Sequence, residues 1–131
     1  MPEEFDRRRI LVVDDEERMV RFIRMNLEHD GFLVTEAFNG KQAIDKLRDT
    51  PDLILLDVMM PDIDGWDVFQ QLKTTENTRD IPVIIITAKS QTIDRVLGVQ
   101  IAKVDDYISK PFRPGELVES IKKILARINS H

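Results

Sequence analysis

The stretch "ILVVDDEER", Ile10 to Arg18, runs four apolar residues directly into four acids, Asp14, Asp15, Glu16 and Glu17. An apolar run without alternation reads as a strand covered on both faces. Carboxylates crowded at its tip repel one another, so the chain must expect a positive partner there. The question is where other strands of this kind end.

Four more runs stand out: "FLVTEA" from Phe32, "LILL" from Leu53, "PVIIIT" from Pro82 and "DYIS" from Asp106. Helix-length segments separate them. "EERMVRFIRMNLEHDG" places Val20, Ile23 and Leu27 on one stripe and closes on Gly31, a residue suited to the position after a helix. "GKQAIDKLRDTP" offers Ala43, Ile44 and Leu47 before Pro51, and "WDVFQQLKTT" follows the Asp64-Gly65 turn. "SQTIDRVLGVQIA" carries Ile93, Val96, Leu97 and Ile101. The last, "PGELVESIKKILARI", has Leu117, Ile121, Leu125 and Ile128 at helical spacing. Five alternations of strand and helix predict an open α/β fold, doubly wound (βα)5, with a parallel sheet. Right-handed crossovers leave the flavodoxin-like strand order 2-1-3-4-5 as the favoured topology.

A chain of 131 residues is most simply one domain, able to bury a core without staples. There is no cysteine, which excludes disulfides and zinc-thiolate sites. "MPEEFDRRR" lacks the apolar segment of a signal peptide, and no apolar run approaches the roughly 20 residues of a membrane span. The expectation is a cytoplasmic protein without membrane contact. A net charge of −5 argues against a nucleic-acid surface, and Arg7 to Arg9 read as a solvated flank of the first strand.

Ligands of such sheets bind beyond the carboxyl ends of the strands. Strand one ends in Asp14 and Asp15, strand three in Asp57, strand four in Thr87 and strand five in Lys110. Three carboxylates, a hydroxyl and an ammonium therefore converge on one edge. Oxygen ligands without nitrogen or sulfur suit a hard divalent cation, Mg²⁺ first. An acidic pocket with Mg²⁺ beside a lysine suits phosphoryl transfer, with Asp57 as nucleophile and Lys110 paired to phosphoryl oxygens. Solitary acids after strands more often form turns or caps, which accounts for Asp62, Asp64 and Glu17. It does not account for Asp57, Thr87 and Lys110 on the same edge.

"VVDDEE", "LILLDVMMPDIDGW", "VIIITA" and "DDYISKPF" together resemble the receiver domain of two-component response regulators, over nearly the whole chain. The resemblance implies residues 1–8 as an N-terminal extension and 9–129 as the receiver. It implies that Asp57 accepts a phosphoryl group from a sensor histidine kinase or a phosphotransfer protein. Asp15 and Asp57 would bind Mg²⁺ directly with the backbone carbonyl of Met59, and Asp14 through water. Thr87 and Lys110 would contact the phosphoryl oxygens, Tyr107 would turn inward with Thr87, and Lys110-Pro111 would be cis. The surface of the last strand and the helices flanking it would then control a downstream protein or an output domain missing here. A monomer, or a weak phosphorylation-dependent dimer, is expected. Receivers commonly carry Gly-Ala before "DDY"; this chain reads Ala102-Lys103-Val104 instead.

Two rivals fall behind. Phosphatases with an aspartate nucleophile carry a second Asp two residues on; here Met59 cannot donate a proton, so steady turnover and an enzyme are not expected. FMN binding needs a phosphate cradle after strand one, which "DDEER" would repel. Met19, Phe22 and Met25, off the core stripe of the first helix, are candidates for kinase docking or for side packing.

Overall fold

The computed structural model describes residues 8–58, 65–88 and 104–129, without the side chains at positions 65, 66, 87, 88 and 129. The expected fourth helical segment, residues 90–102, lies outside the described residues, as do Lys103, Met59, Asp62 and Asp64.

The elements follow the apolar runs: β1 (Arg9–Val13), α1 (Glu17–His29), β2 (Leu33–Ala37), α2 (Gly40–Lys46), β3 (Leu53–Asp57), α3 (Gly65–Thr74), β4 (Val83–Ala88), β5 (Asp106–Lys110) and α4 (Pro114–Asn129). The five strands form one sheet in the order β2-β1-β3-β4-β5, every pair parallel. This is the doubly wound, flavodoxin-like architecture expected from the sequence.

The continuous apolar runs are explained by two cores. Successive strand residues point to opposite faces. Ile10, Val12, Leu53, Leu55, Ile84, Ile86 and Ile108 bury against Val20, Ile23 and Leu27 of α1 and Leu117, Ile121, Ile124 and Leu125 of α4. Leu11, Val13, Ile54, Leu56, Val83 and Ile85 bury on the other face against Ala43, Val68, Phe69 and Leu72 of α2 and α3. Asp57 continues the Leu53–Leu55 series and Lys110 continues from Ile108, so both side chains leave the sheet on the α1/α4 side. That shared parity lets two strands separated by β4 supply one site.

Helix ends behave as the local chemistry dictates. Gly31 takes φ 94°, and Phe32 N–H donates to the Leu27 carbonyl at 3.1 Å, closing α1 by the left-handed route open to glycine. Asn39 caps α2, its side chain accepting from Gln42 N–H at 2.8 Å, while the Gln42 side chain accepts from Phe38 N–H. α2 is shorter than its periodicity suggests. It passes into a 3₁₀ turn at Leu47–Asp49 and stops at Thr50, held at φ 46° before Pro51, since a residue preceding proline is driven out of the helical region. In α4 the predicted stripe shifts: Ile124 is buried beside Leu125, whereas Ile128, one turn beyond, is exposed.

Candidate functional site

β1 and β3 are neighbours, with Val13 beside Leu56, so the residues that follow them emerge together at the carboxyl edge. Asp14 is fully buried there, Asp57 is 4 % exposed and Asp15 is exposed. One carboxylate oxygen from each of the three lies within 4.8 Å of the others. Asp14 also turns back on the chain, Oδ1 accepting from Glu16 N–H at 2.9 Å, which fixes its direction at the entry to α1.

Lys110 arrives from β5 on the far side of β4. Its Nζ donates to Asp14 Oδ2 at 2.8 Å, to Glu16 Oε1 at 3.2 Å and to Asp57 Oδ2 at 3.3 Å. This is the positive partner that the acid run requires. All three ammonium hydrogens meet carboxylates. Burial disfavours the Lys110 charge, but Asp14, Asp57 and Glu16 outweigh it and hold the ammonium above its ordinary pKa. At Asp14 burial wins instead. Desolvation raises its pKa from 3.8 to about 6, although Lys110 and the Glu16 amide both favour the anion.

The remaining candidates divide. Thr87 lies one residue before the end of β4, paired with Ser109, with its side chain outside the described residues. Tyr107 pairs with Ile85 in the sheet and its side chain is 45 % exposed. The Lys110–Pro111 peptide bond is cis. On α1, Met19 packs half-buried against the core, whereas Phe22 and Met25 are 38 % and 65 % exposed.

Glu16 was passed over in the sequence. It occupies the N-cap position of α1 without making a side-chain cap bond, because its carboxylate reaches Lys110 instead. Its place between the strand end and the helix start was the available signal; its direction was not.

The site gives stability a defined pH dependence in metal-free buffer. The folded-state pKa of Asp14, about 6, exceeds its unfolded value of 3.8, so the folded chain binds the proton more tightly. The resulting stability is fully present below the unfolded value and is lost as pH rises through 6. Urea unfolding in EDTA should therefore show a gain of about 1 kcal/mol on going from pH 8 to pH 5. Asp14→Asn should flatten this slope; an identical slope in that variant would place the effect elsewhere.

The donors are all carboxylate oxygens, close together, a set that fits a hard divalent cation. Among the described residues no helix is long and apolar enough to cross a membrane.

Comparisons with known proteins agree with this picture. The chain is 44% identical over 120 residues to the response regulator ArlR of Staphylococcus saprophyticus, covering 91% of this chain and 53% of that protein. It is 45% identical over 119 residues to the transcriptional regulatory protein CpxR of Escherichia coli, covering 91% and 50%. The chain thus spans about half the length of these relatives. Among solved structures, a response regulator of Chloroflexus aurantiacus superimposes with a TM-score of 0.83 at 30% identity, covering 92% of this chain and 99% of that one. The N-terminal domain of a response regulator receiver protein of Methanoculleus marisnigri gives 0.71 at 40% identity, covering 90% and 96%. Residues 10–122 match the response regulator receiver domain, and the chain belongs to that family of two-component signalling domains.

Proposed function

We propose that residues 9–129 form a phosphoacceptor in a histidine-to-aspartate relay, with residues 1–8 as an extension, and that Asp57 carries the phosphoryl group. The observation that supports this most is the Lys110 ammonium bonded to both Asp14 and Asp57 at the carboxyl edge of the sheet. A carboxylate oxygen of Asp57 attacks phosphorus. The new O–P bond forms as the P–N bond of a kinase phosphohistidine breaks, and the imidazole nitrogen keeps the bonding pair. Lys110 then faces the phosphoryl oxygens, with the Thr87 hydroxyl as their second contact. Asp15 and Asp57, with the Met59 carbonyl, are the residues that would hold Mg²⁺, and Asp14 would assist through water. Bound there, the ion would neutralise charge on the transferring group.

The added charge of about −1.5 to −2 draws Thr87 and Lys110 toward Asp57, and Tyr107 follows from its exposed position. This shift is how the domain would act on a downstream protein or an attached output domain in the cytoplasm. Met59, where phosphatases place their proton donor, leaves no general acid for steady turnover, so the domain signals and does not act as an enzyme. The test is intact mass spectrometry after incubation with Mg²⁺ and acetyl phosphate. One acid-labile, hydroxylamine-sensitive phosphoryl group per chain is expected; none in any condition would end the proposal.

The exposed Phe22 and Met25, with Met19 behind them, are proposed as the kinase contact. Phe22→Ala should slow transfer from the kinase at least about tenfold while leaving the melting midpoint within the small range of surface changes. A large fall in melting temperature would show that Phe22 packs and does not dock.

A further inference from the structure

We infer that Glu16 is a positioning residue for Lys110, the partner that the ammonium gives up when Asp57 is phosphorylated. This rests on the phosphoacceptor reading above. In the structure Lys110 has no spare hydrogen, since Asp14, Glu16 and Asp57 take all three. A phosphoryl group on Asp57 presents three strong acceptor oxygens beside the same ammonium. Bonding any of them requires an exchange. Asp14 is the costly partner to abandon, because its bond is the shortest at 2.8 Å and its fully buried carboxylate would lose its cation. The Glu16 side chain is 61% exposed and is rehydrated on release.

Glu16 opposes the phosphoryl group in a second way. Its oxygen and Asp57 Oδ2 bond the same nitrogen, so Glu16 lies no farther from the new charge than two hydrogen bonds. Two anions then compete for one cation. Glu16 thereby holds Lys110 in its unphosphorylated position and sets how far the phosphoryl group must pull. Its backbone also begins α1: Val20 N–H donates to the Glu16 carbonyl at 3.0 Å, and release of the side chain frees the helix entrance from the site.

Beryllofluoride, a non-covalent phosphoryl mimic, tests this by calorimetry at saturating Mg²⁺. Glu16→Gln should bind it about two- to fivefold more tightly than the native chain, the scale of an exposed ion pair. Glu16→Asp keeps the charge but shortens the reach, and it should tighten binding similarly if contact with Lys110 is what matters. Affinity in Glu16→Asp equal to native would show a through-space charge effect and overturn the positioning role. Unchanged or weaker binding in Glu16→Gln would overturn it as well. A native chain that binds no beryllofluoride and takes no phosphoryl group would refute the phosphoacceptor reading itself. Native binding with unresponsive variants refutes only the role of Glu16.

Discussion

Asp57→Asn should take up no phosphoryl group from acetyl phosphate under conditions expected to label the native chain. The side chain keeps its shape and can still accept from Lys110, so the loss does not come through unfolding. What disappears is the anionic oxygen proposed to attack phosphorus, and with it one of the three carboxylates that gather at the edge of the sheet. The effect should be complete within the detection of intact mass spectrometry, and the melting midpoint in EDTA should not fall. Relief of like-charge repulsion acts in the stabilising direction. Equal labelling of this variant would move the nucleophile to another carboxylate, with Asp14 and Asp15 the first candidates among the described residues.

Lys110→Ala should separate stability, uptake of the phosphoryl group and transmission. Removing the ammonium leaves the buried Asp14 and Asp57 facing each other without their shared partner. Loss of one member of a buried ionic cluster costs about 3 kcal/mol or more. Asp14 can protonate to limit this loss, so the deficit in EDTA should be smaller at pH 5 than at pH 8. Mg²⁺ should recover a larger share of stability in this variant than in the native chain, because a divalent ion can neutralise the same oxygens. Some phosphorylation of Asp57 should persist, since the nucleophile remains. The conformational response should be lost, as the new charge has nothing on β5 to pull. Paired urea titrations and amide spectra before and after phosphorylation check both parts. A midpoint unchanged in EDTA, or an intact response to phosphorylation, would remove Lys110 from its assigned place.

The fold was largely legible because β1, β3 and β4 are continuous runs of Val, Ile and Leu, set between segments of helical spacing. Ile10 to Val13 and Leu53 to Leu56 require cover on both faces, and the two cores supply it. The convergence of Asp14, Asp57 and Lys110 followed from strand ends alone, since a parallel sheet gathers those ends on one edge. Other details depended on geometry that spacing does not carry. The early stop of α2 reflects the conformation of Thr50 ahead of Pro51, and spacing alone does not show that Ile124 is buried while Ile128 is exposed. Glu16 was illegible for a different reason. An N-cap acid can turn to its own helix or to a neighbouring cation, and only the position of Lys110 decides between them.

The bond from Lys110 to Asp14 spans 96 residues of chain, and the bond to Asp57 spans 53. A chain made from its N-terminus presents the acids early and the ammonium near the end. Until β5 and α4 emerge, the α1 stripe and one face of β1 and β3 lack their last cover, and such long-range parallel pairing forms slowly. On the proposed reading, an arrested or clipped product would carry the Asp57 acceptor without Lys110 to respond to it. On that reading, folding of this domain and its competence to transmit would become a single event.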